Sequence, residues 1–589
     1  MTPFEASLSI AIQNHRAGRH EDAFKLYREL LGTAPGDARA NAQMGLLLHQ
    51  HGAHAQAIEH FDISLRADET QPTVWTNRGE AARSLDRLDD AEACFRRALQ
   101  HKPNCAITHN NLGLVLYRRG KLSEAEAAFR LSISAAPERP TTWVNLANVL
   151  RDWMRFDEAE AALRKAIEIS PGEPAPRSNL IFLLGYRSEE SPSEIYAEAR
   201  QFGAPPDGAA LPPLRPPQGN RRLRIGYLSP DFRSHPVATF VEPILAGNDS
   251  RRVEVFCYAN VARPDAVTDR LRSRVSSWHS IYTLNDTAAT SLIRSHELDV
   301  LVDLAGHTAG NRLGIFAQRA APVQACYLGF FATTGLRTMD YWITDEVLHP
   351  PDYQDLFVEQ LWKLPRCWLS YQAPADAPEP DVSIAPDSGA TVFGSFNQIL
   401  KVTSSTVRLW ASVLRRVPDS RLLLKTRSLG DNETRSRVIA LFKEEGIGSD
   451  RIDLLPAMPS RAEHLASYKR IDIALDTFPY SGGTTTCEAL WMGVPVVTLA
   501  GGTMPSRMST SILTAAGDAG GCARSPEEFV EIAVRLAGEH RSRNTEERRT
   551  FRRQQRERIA KSSLCDGRSL ARALEDAYAQ MVQEHLQRQ

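Results

Sequence analysis

Ala23, Ala57, Ala91, Ala125 and Ala159 recur every 34 residues, without slippage. Four positions after each stands a large apolar residue: Tyr27, Phe61, Phe95, Phe129 and Leu163. Pro35, Pro103, Pro137 and Pro171 keep the same phase, with Glu69 in the remaining slot. Gly45, Gly79 and Gly113 form a further register, flanked by Ala11 and Ala147, and Trp75 and Trp143 open the third and fifth units. A period of this length accommodates one pair of antiparallel helices per unit. The small residues let two helices approach closely, the aromatic fills the gap to the next unit, and proline ends the second helix. Each unit buries its apolar face only against a neighbour, so the expectation is a solenoid with a concave groove.

The spacing resembles that of the tetratricopeptide repeat, which implies a groove for extended peptides or partner domains. Asn110, Asn111 and Asn145 lie on the first helices of the fourth and fifth units. Their amides can hydrogen-bond the backbone of a bound peptide, or simply face solvent. After Pro171, RSNLIFLLGY (177–186) reads as one more helix capping the array, and LPPLRPPQGN (211–220) as a stiff boundary.

From Arg222 onward the pattern changes. Apolar runs at 223–229, 253–259, 299–306, 323–330 and 341–344 alternate with amphipathic stretches. A second set follows at 391–396, 421–426, 451–456, 471–476 and 494–499, and the proline-rich segment 371–381 divides the two. Such alternation indicates parallel sheets covered on both faces. The expected organisation is a helical array over 1–186, a connecting helix and proline-rich linker over 187–220, and one α/β lobe over 221–380. A second lobe over 381–589 would end in a closing helix of its own.

Lys plus Arg (70) and Asp plus Glu (71) nearly cancel, so bulk charge gives no support to nucleic-acid or membrane-surface binding. The eight cysteines include no CxxC pair, and no apolar run approaches the roughly 20 residues that span a bilayer. The first residues lack a basic start followed by a long apolar stretch. A cytoplasmic protein is expected; its oligomeric state is left open.

In open parallel sheets, ligands sit at the carboxyl ends of strands. There the second lobe places DTFPYSGGTTTCEALWMG (476–493). Gly482 and Gly483 permit close approach to the main chain, and Thr484, Thr485 and Thr486 add hydroxyls beside the free amides of a helix start. Together they form a seat for a phosphate group; the other reading is a glycine turn with a threonine cap. Glu488, a turn further on, can accept hydrogen bonds from a ribose diol. In GSFNQILK (394–401), Lys401 can neutralise a diphosphate. His235 and His307 each follow a strand of the first lobe, while Arg461 and His464 precede the strand leading to Asp476. No Asp-X-Asp follows the repeats, so neither a metal nor any other cofactor is expected.

The repeats, followed by SPDFRSHPV, GHTAGNRLG, APVQACYLGF, MDYWITD, FGSFNQILK and DTFPYSGGTTTCEALWMGVPVVTLAG, closely resemble the protein O-GlcNAc transferases and their SPINDLY relatives. That resemblance implies an α-solenoid followed by a GT-B fold of two Rossmann-like lobes. It also implies inverting transfer from a nucleotide sugar to Ser or Thr hydroxyls of proteins presented by the repeats. Matched residue by residue, Lys401, Thr484 and Thr485 would meet the diphosphate, with Gln398, Gly482 and Gly483 around them. Glu488 and Arg461 would lie at the ribose, His464 at the base, and His235 and His307 on the sugar and acceptor side. His235 is the first choice as base and His307 the second. Gly483 stands where the animal enzymes have histidine, and Phe331 replaces a usual proline. The donor implied first is UDP-GlcNAc. The alternatives are GDP-fucose, as in SPINDLY proteins, or a repeat scaffold with a degenerate transferase half.

Overall fold

The computed structural model describes residues 2–187, 192–202, 221–350, 356–382 and 390–588. The proline-rich stretch 211–220 lies outside these described residues. The chain divides into two compact units, Met1–Gly172 and Glu173–Gln589.

In the first unit the described residues form ten helices in five antiparallel pairs, Pro3–Arg16 with His20–Thr33 through Pro140–Asp152 with Phe156–Ile169. The repeated alanines are fully buried, as are Tyr27, Phe61, Phe95 and Phe129. The aromatic rings do not lie where the periodicity put them. Each phenylalanine packs on the glycine of its own unit: a Cβ on Gly45, Gly79 or Gly113 would stand 2.7, 2.5 or 2.6 Å from Phe61, Phe95 or Phe129. Glycine and ring are thus one device that sets the distance within a pair. Asn145 donates to the buried Asn110 at 2.9 Å, and Asn110 to Asn111 at 3.3 Å, so these amides already bond one another along the inner helices.

The second unit contains two sheets. The first comprises β1 (Leu223–Ser229), β2 (Val253–Ala259), β3 (Ser277–Ser280), β4 (Val300–Asp303), β5 (Val323–Cys326), β6 (Tyr341–Asp345) and β7 (Gln360–Leu364), ordered β3-β2-β1-β4-β5-β6-β7. The other comprises β8 (Val392–Ser395), β9 (Arg421–Lys425), β10 (Ile452–Leu455), β11 (Ile473–Leu475), β12 (Val496–Leu499) and β13 (Cys522–Ala523), ordered β10-β9-β8-β11-β12-β13. Every pairing is parallel. In each sheet the winding reverses direction once, between β1 and β4 and between β8 and β11. A crevice opens at that point because the two flanking connections depart to opposite faces. β3, β7 and β13 went unseen in the sequence because they are short edge strands without an apolar run.

Two assignments of helices change. The helix Pro174–Leu184, expected to cap the array, belongs to the second unit. Ser178 bonds His307 at 2.8 Å, and Phe182 packs near Phe330. The last helix, Gly567–Gln587, was expected on the second lobe but packs on the first sheet's side. Tyr578 meets Tyr227 at 3.2 Å, Tyr341 donates to Glu584 at 3.1 Å, and Arg252 pairs with Glu575 at 3.1 Å. Its apolar stripe, including Leu570, Leu574, Tyr578 and Met581, matches that face, so the chain ends by crossing back and joining the lobes.

Candidate active site

The crevice between β8 and β11 is organised by Asp476, the residue after β11. Its Oδ1 accepts from the amides of Gly482 (2.7 Å) and Thr477 (2.9 Å) and from Asn397 Nδ2 (3.2 Å). Its Oδ2 accepts from Thr498 at 2.7 Å. Burial raises its pKa, against the pull of its donors and of Lys401. The loop therefore folds around a carboxylate, and a side chain at Gly482 would force Thr486 to move, because a Cβ there would stand 2.3 Å from Thr486 Oγ1. Gly483 is different: an added Cβ would meet nothing within 4 Å, so this side of the loop is open.

The helix Thr484–Trp491 begins at that opening with no side chain capping it. Its first amides point outward from the positive end of the helix dipole. The three threonines divide their roles. Thr486 is buried against Ser509, Thr485 donates to Asn397 Oδ1 at 2.7 Å, and Thr484 is half-buried at the first helical position.

Lys401 closes the turn Ile399–Lys401 after β8, with Gln398 exposed just before it. Its ammonium donates to the carbonyl of Ser481 at 2.8 Å and lies 4.3 Å from the centre of the Tyr480 ring. Burial lowers its pKa to about 8, partly countered by Asp476. A lysine in this state gains from an arriving anion, which replaces the water it has lost.

At the other end of the crevice Glu488 is buried and accepts from His464 Nε2 at 2.8 Å. The His464 Nδ1 is met by the ammonium of Lys425, the last residue of β9. The donor at Nδ1 and the acceptor at Nε2 suit the tautomer that carries its proton on Nε2. Lys425 lies 4.5 Å from the centre of the Phe396 ring, and burial lowers its pKa to about 8 while Glu488 pulls it upward. Arg461 stands 3.8 Å from Glu488 and donates to Thr239 of the first lobe at 3.3 Å, which ties the lobes together beside the crevice.

Lys425, Asn397, Asp476 and Tyr480 were absent from the sequence-derived set. Lys425 had a signal: RLLLKT ends a strand on a lysine at the same carboxyl edge. Asn397, Asp476 and Tyr480 lay inside the two strand-edge segments already singled out, but their particular roles rest on contacts across the switch point.

On the first lobe, His235 caps the helix Pro236–Gly247, its Nδ1 accepting from the Val237 amide at 3.3 Å. The same nitrogen is 3.5 Å from Asp231, and 35% of the His235 side chain is exposed. Burial and nearby Arg233 push the imidazole down to about 4, whereas burial raises Asp231 to about 6. His307 does not face the cleft. It is 1% exposed, donates from Nε2 to the Thr334 carbonyl at 3.0 Å, and receives Ser178 at Nδ1. With both nitrogens engaged and burial holding its pKa near 4, it clamps the helix Pro174–Leu184 and has no lone pair for an acceptor.

A family model described as glycosyl transferase family 41 matches residues 213–371 and 384–574. Tetratricopeptide repeat models match 6–72, 76–140 and 140–173. A SPINDLY protein of Petunia hybrida, named as a probable UDP-N-acetylglucosamine–peptide N-acetylglucosaminyltransferase, is 39% identical over 365 residues, covering 61% of this chain and 39% of the relative. Its namesake from Arabidopsis thaliana is 36% identical over 416 residues, 69% of this chain and 45% of that one. This chain thus spans less than half the length of these curated relatives. Among solved structures, a mutant of the Thermobaculum terrenum O-GlcNAc transferase superposes with a TM-score of 0.79 at 35% identity. That match covers 88% of this chain and 98% of the other.

Proposed function

Because the chain belongs to glycosyl transferase family 41, we propose that it moves GlcNAc from UDP-GlcNAc to Ser or Thr hydroxyls of proteins, with inversion at the anomeric carbon. The observation that carries this reading is the pairing of Lys401 with the uncapped start of helix Thr484–Trp491 across the β8–β11 crevice. In this reading the acceptor oxygen attacks the anomeric carbon, and the bond to the diphosphate breaks. Its electron pair stays on the leaving phosphate oxygen, where Lys401, Thr484, Thr485 and the helix amides meet the charge. Arg461, Glu488 and His464 hold the nucleoside, with Gln398, Gly482 and Gly483 bordering the phosphates.

The acceptor proton goes to His235. Its depressed pKa keeps the ring neutral at physiological pH. To act as a base the ring turns its Nδ1 lone pair from the Val237 amide toward the acceptor, with Asp231 3.5 Å away to hold the imidazolium that forms. The repeats present the protein acceptor. The eight cysteines are free, which suits a reducing compartment such as the cytoplasm. Among the described residues, no helix is long and apolar enough to cross a membrane.

A second reading, fucosyl transfer from GDP-fucose, has one observation on its side. An apolar hollow lined by Phe182, Phe330, Phe331, Tyr480 and Met504 adjoins the ring beneath Lys401. A 6-deoxy sugar could bury its methyl group there. Titration of the full chain with UDP, GDP, UDP-GlcNAc and GDP-fucose decides between them. Tighter binding of the uridine pair supports the first reading, a guanine preference supports the second, and binding of none of the four removes the transferase reading altogether.

A further inference from the structure

Lys401 does not rest on second-lobe residues alone. The Tyr480 ring beneath its ammonium is stacked on Tyr186, with centroids 4.8 Å apart and planes 18° from parallel. Phe331 meets the Tyr480 ring edge-on at 6.3 Å. Tyr186 belongs to neither sheet: it follows the helix Pro174–Leu184 and is 4% exposed. That helix is fastened near its start by Ser178, which bonds the buried His307 and accepts from Asn311 at 3.1 Å. Near its end, Phe182 packs edge-on against Tyr186 at 5.3 Å.

We propose that Tyr186 is a positioning residue for Lys401. Delivered by the helix that follows the repeat array, it backs the Tyr480 ring and holds the ammonium, partly dehydrated, at the phosphate end of the crevice. His307 then has a role that its burial explains: it anchors the helix that brings Tyr186 in. Assigning Lys401 as the leaving-group cation rests on the transferase reading, but the stack that positions it does not.

The physical consequence is local. The groups facing the ammonium are Asp476 and Tyr480, and Tyr480 in turn faces Tyr186. Removing the Tyr186 ring leaves Asp476 in place and lets water in. Relief of desolvation moves a lysine back toward its ordinary value.

The test labels the full chain with a limiting amount of an amine-reactive acetylating reagent across a pH series, with Lys401 modification read by mass spectrometry. Half-maximal reactivity of the wild type is expected near pH 8. Tyr186→Leu and Tyr186→Met should each raise that midpoint by about one unit, while Tyr186→Phe, which keeps the stack, should leave it in place. The first two should also lower kcat on the order of tenfold with little change in donor KM, and Tyr186→Phe should restore it. A folded Leu or Met variant whose Lys401 midpoint stays at the wild-type pH overturns the proposal. Because labelling requires no donor, a shifted midpoint in a protein that turns over no nucleotide sugar would retain the positioning role and reject only the transferase reading.

Discussion

Two lysines, Lys401 after β8 and Lys425 at the end of β9, are held by burial near the middle of the working pH range. A protonated lysine with a depressed pKa disfavours folding at neutral pH, and the cost fades as pH rises from about 8 toward the unfolded value of 10.5. Lys401→Met should therefore raise Tm at pH 7 while lowering kcat roughly 10²- to 10³-fold, the loss typical of one preorganised charge-stabilising donor. A thermal melt and a turnover assay on the same sample check both parts. With only protonated Lys401 competent, wild-type kcat/KM should decline above about pH 8. Its acid limb should lie near pH 4, where His235 protonates, well below the ordinary histidine range. His235→Asn should remove that limb and cost roughly 10²- to 10⁴-fold in rate; an unchanged profile would assign the base elsewhere.

At the scale of the element, the contact between glycine and phenylalanine sets the geometry of each repeat. A methyl group at Gly113 would lie 2.6 Å from a fully buried Phe129 ring, and that ring cannot move aside without vacating the core. Gly113→Ala gains about 1 kcal/mol of helix propensity but incurs an overpacking cost of about 1–3 kcal/mol. A net loss is expected, read as a lower denaturant midpoint. Trp75 and Trp143 illustrate a second recurring device: each indole donates to the main chain six residues earlier, at Glu69 and Pro137, fixing the turn between successive pairs. In the second unit the decisive element is the eight-residue helix Thr484–Trp491, whose start no side chain caps.

For the molecule as a whole, the proposed division of labour places chemistry in Glu173–Gln589 and acceptor presentation in Met1–Gly172. Deleting the first four helix pairs should leave slow hydrolysis of the nucleotide sugar intact. Transfer to protein acceptors should fall at least tenfold, since the lost groove contributed their effective concentration. Following released and protein-bound labelled sugar separately tests this, and equal transfer by the truncated chain would remove the presenting role.

Periodicity alone determined the helical array, because residues 34 apart face the same neighbours in every repeat and one rule places them all. Alternation of strand and helix determined the parallel sheets. The strand-edge rule located Lys401, the Gly482–Thr485 loop and Glu488, since these residues are contiguous or adjoin an obvious strand. Only the tertiary structure decided which histidine is free: His235 and His307 follow strands alike, but the second is enclosed by Ser178 and Thr334. It likewise decided where the last helix packs and which groups surround the lysine. Burial and hydrogen-bond partnership depend on residues far away in the chain, and no local pattern encodes them.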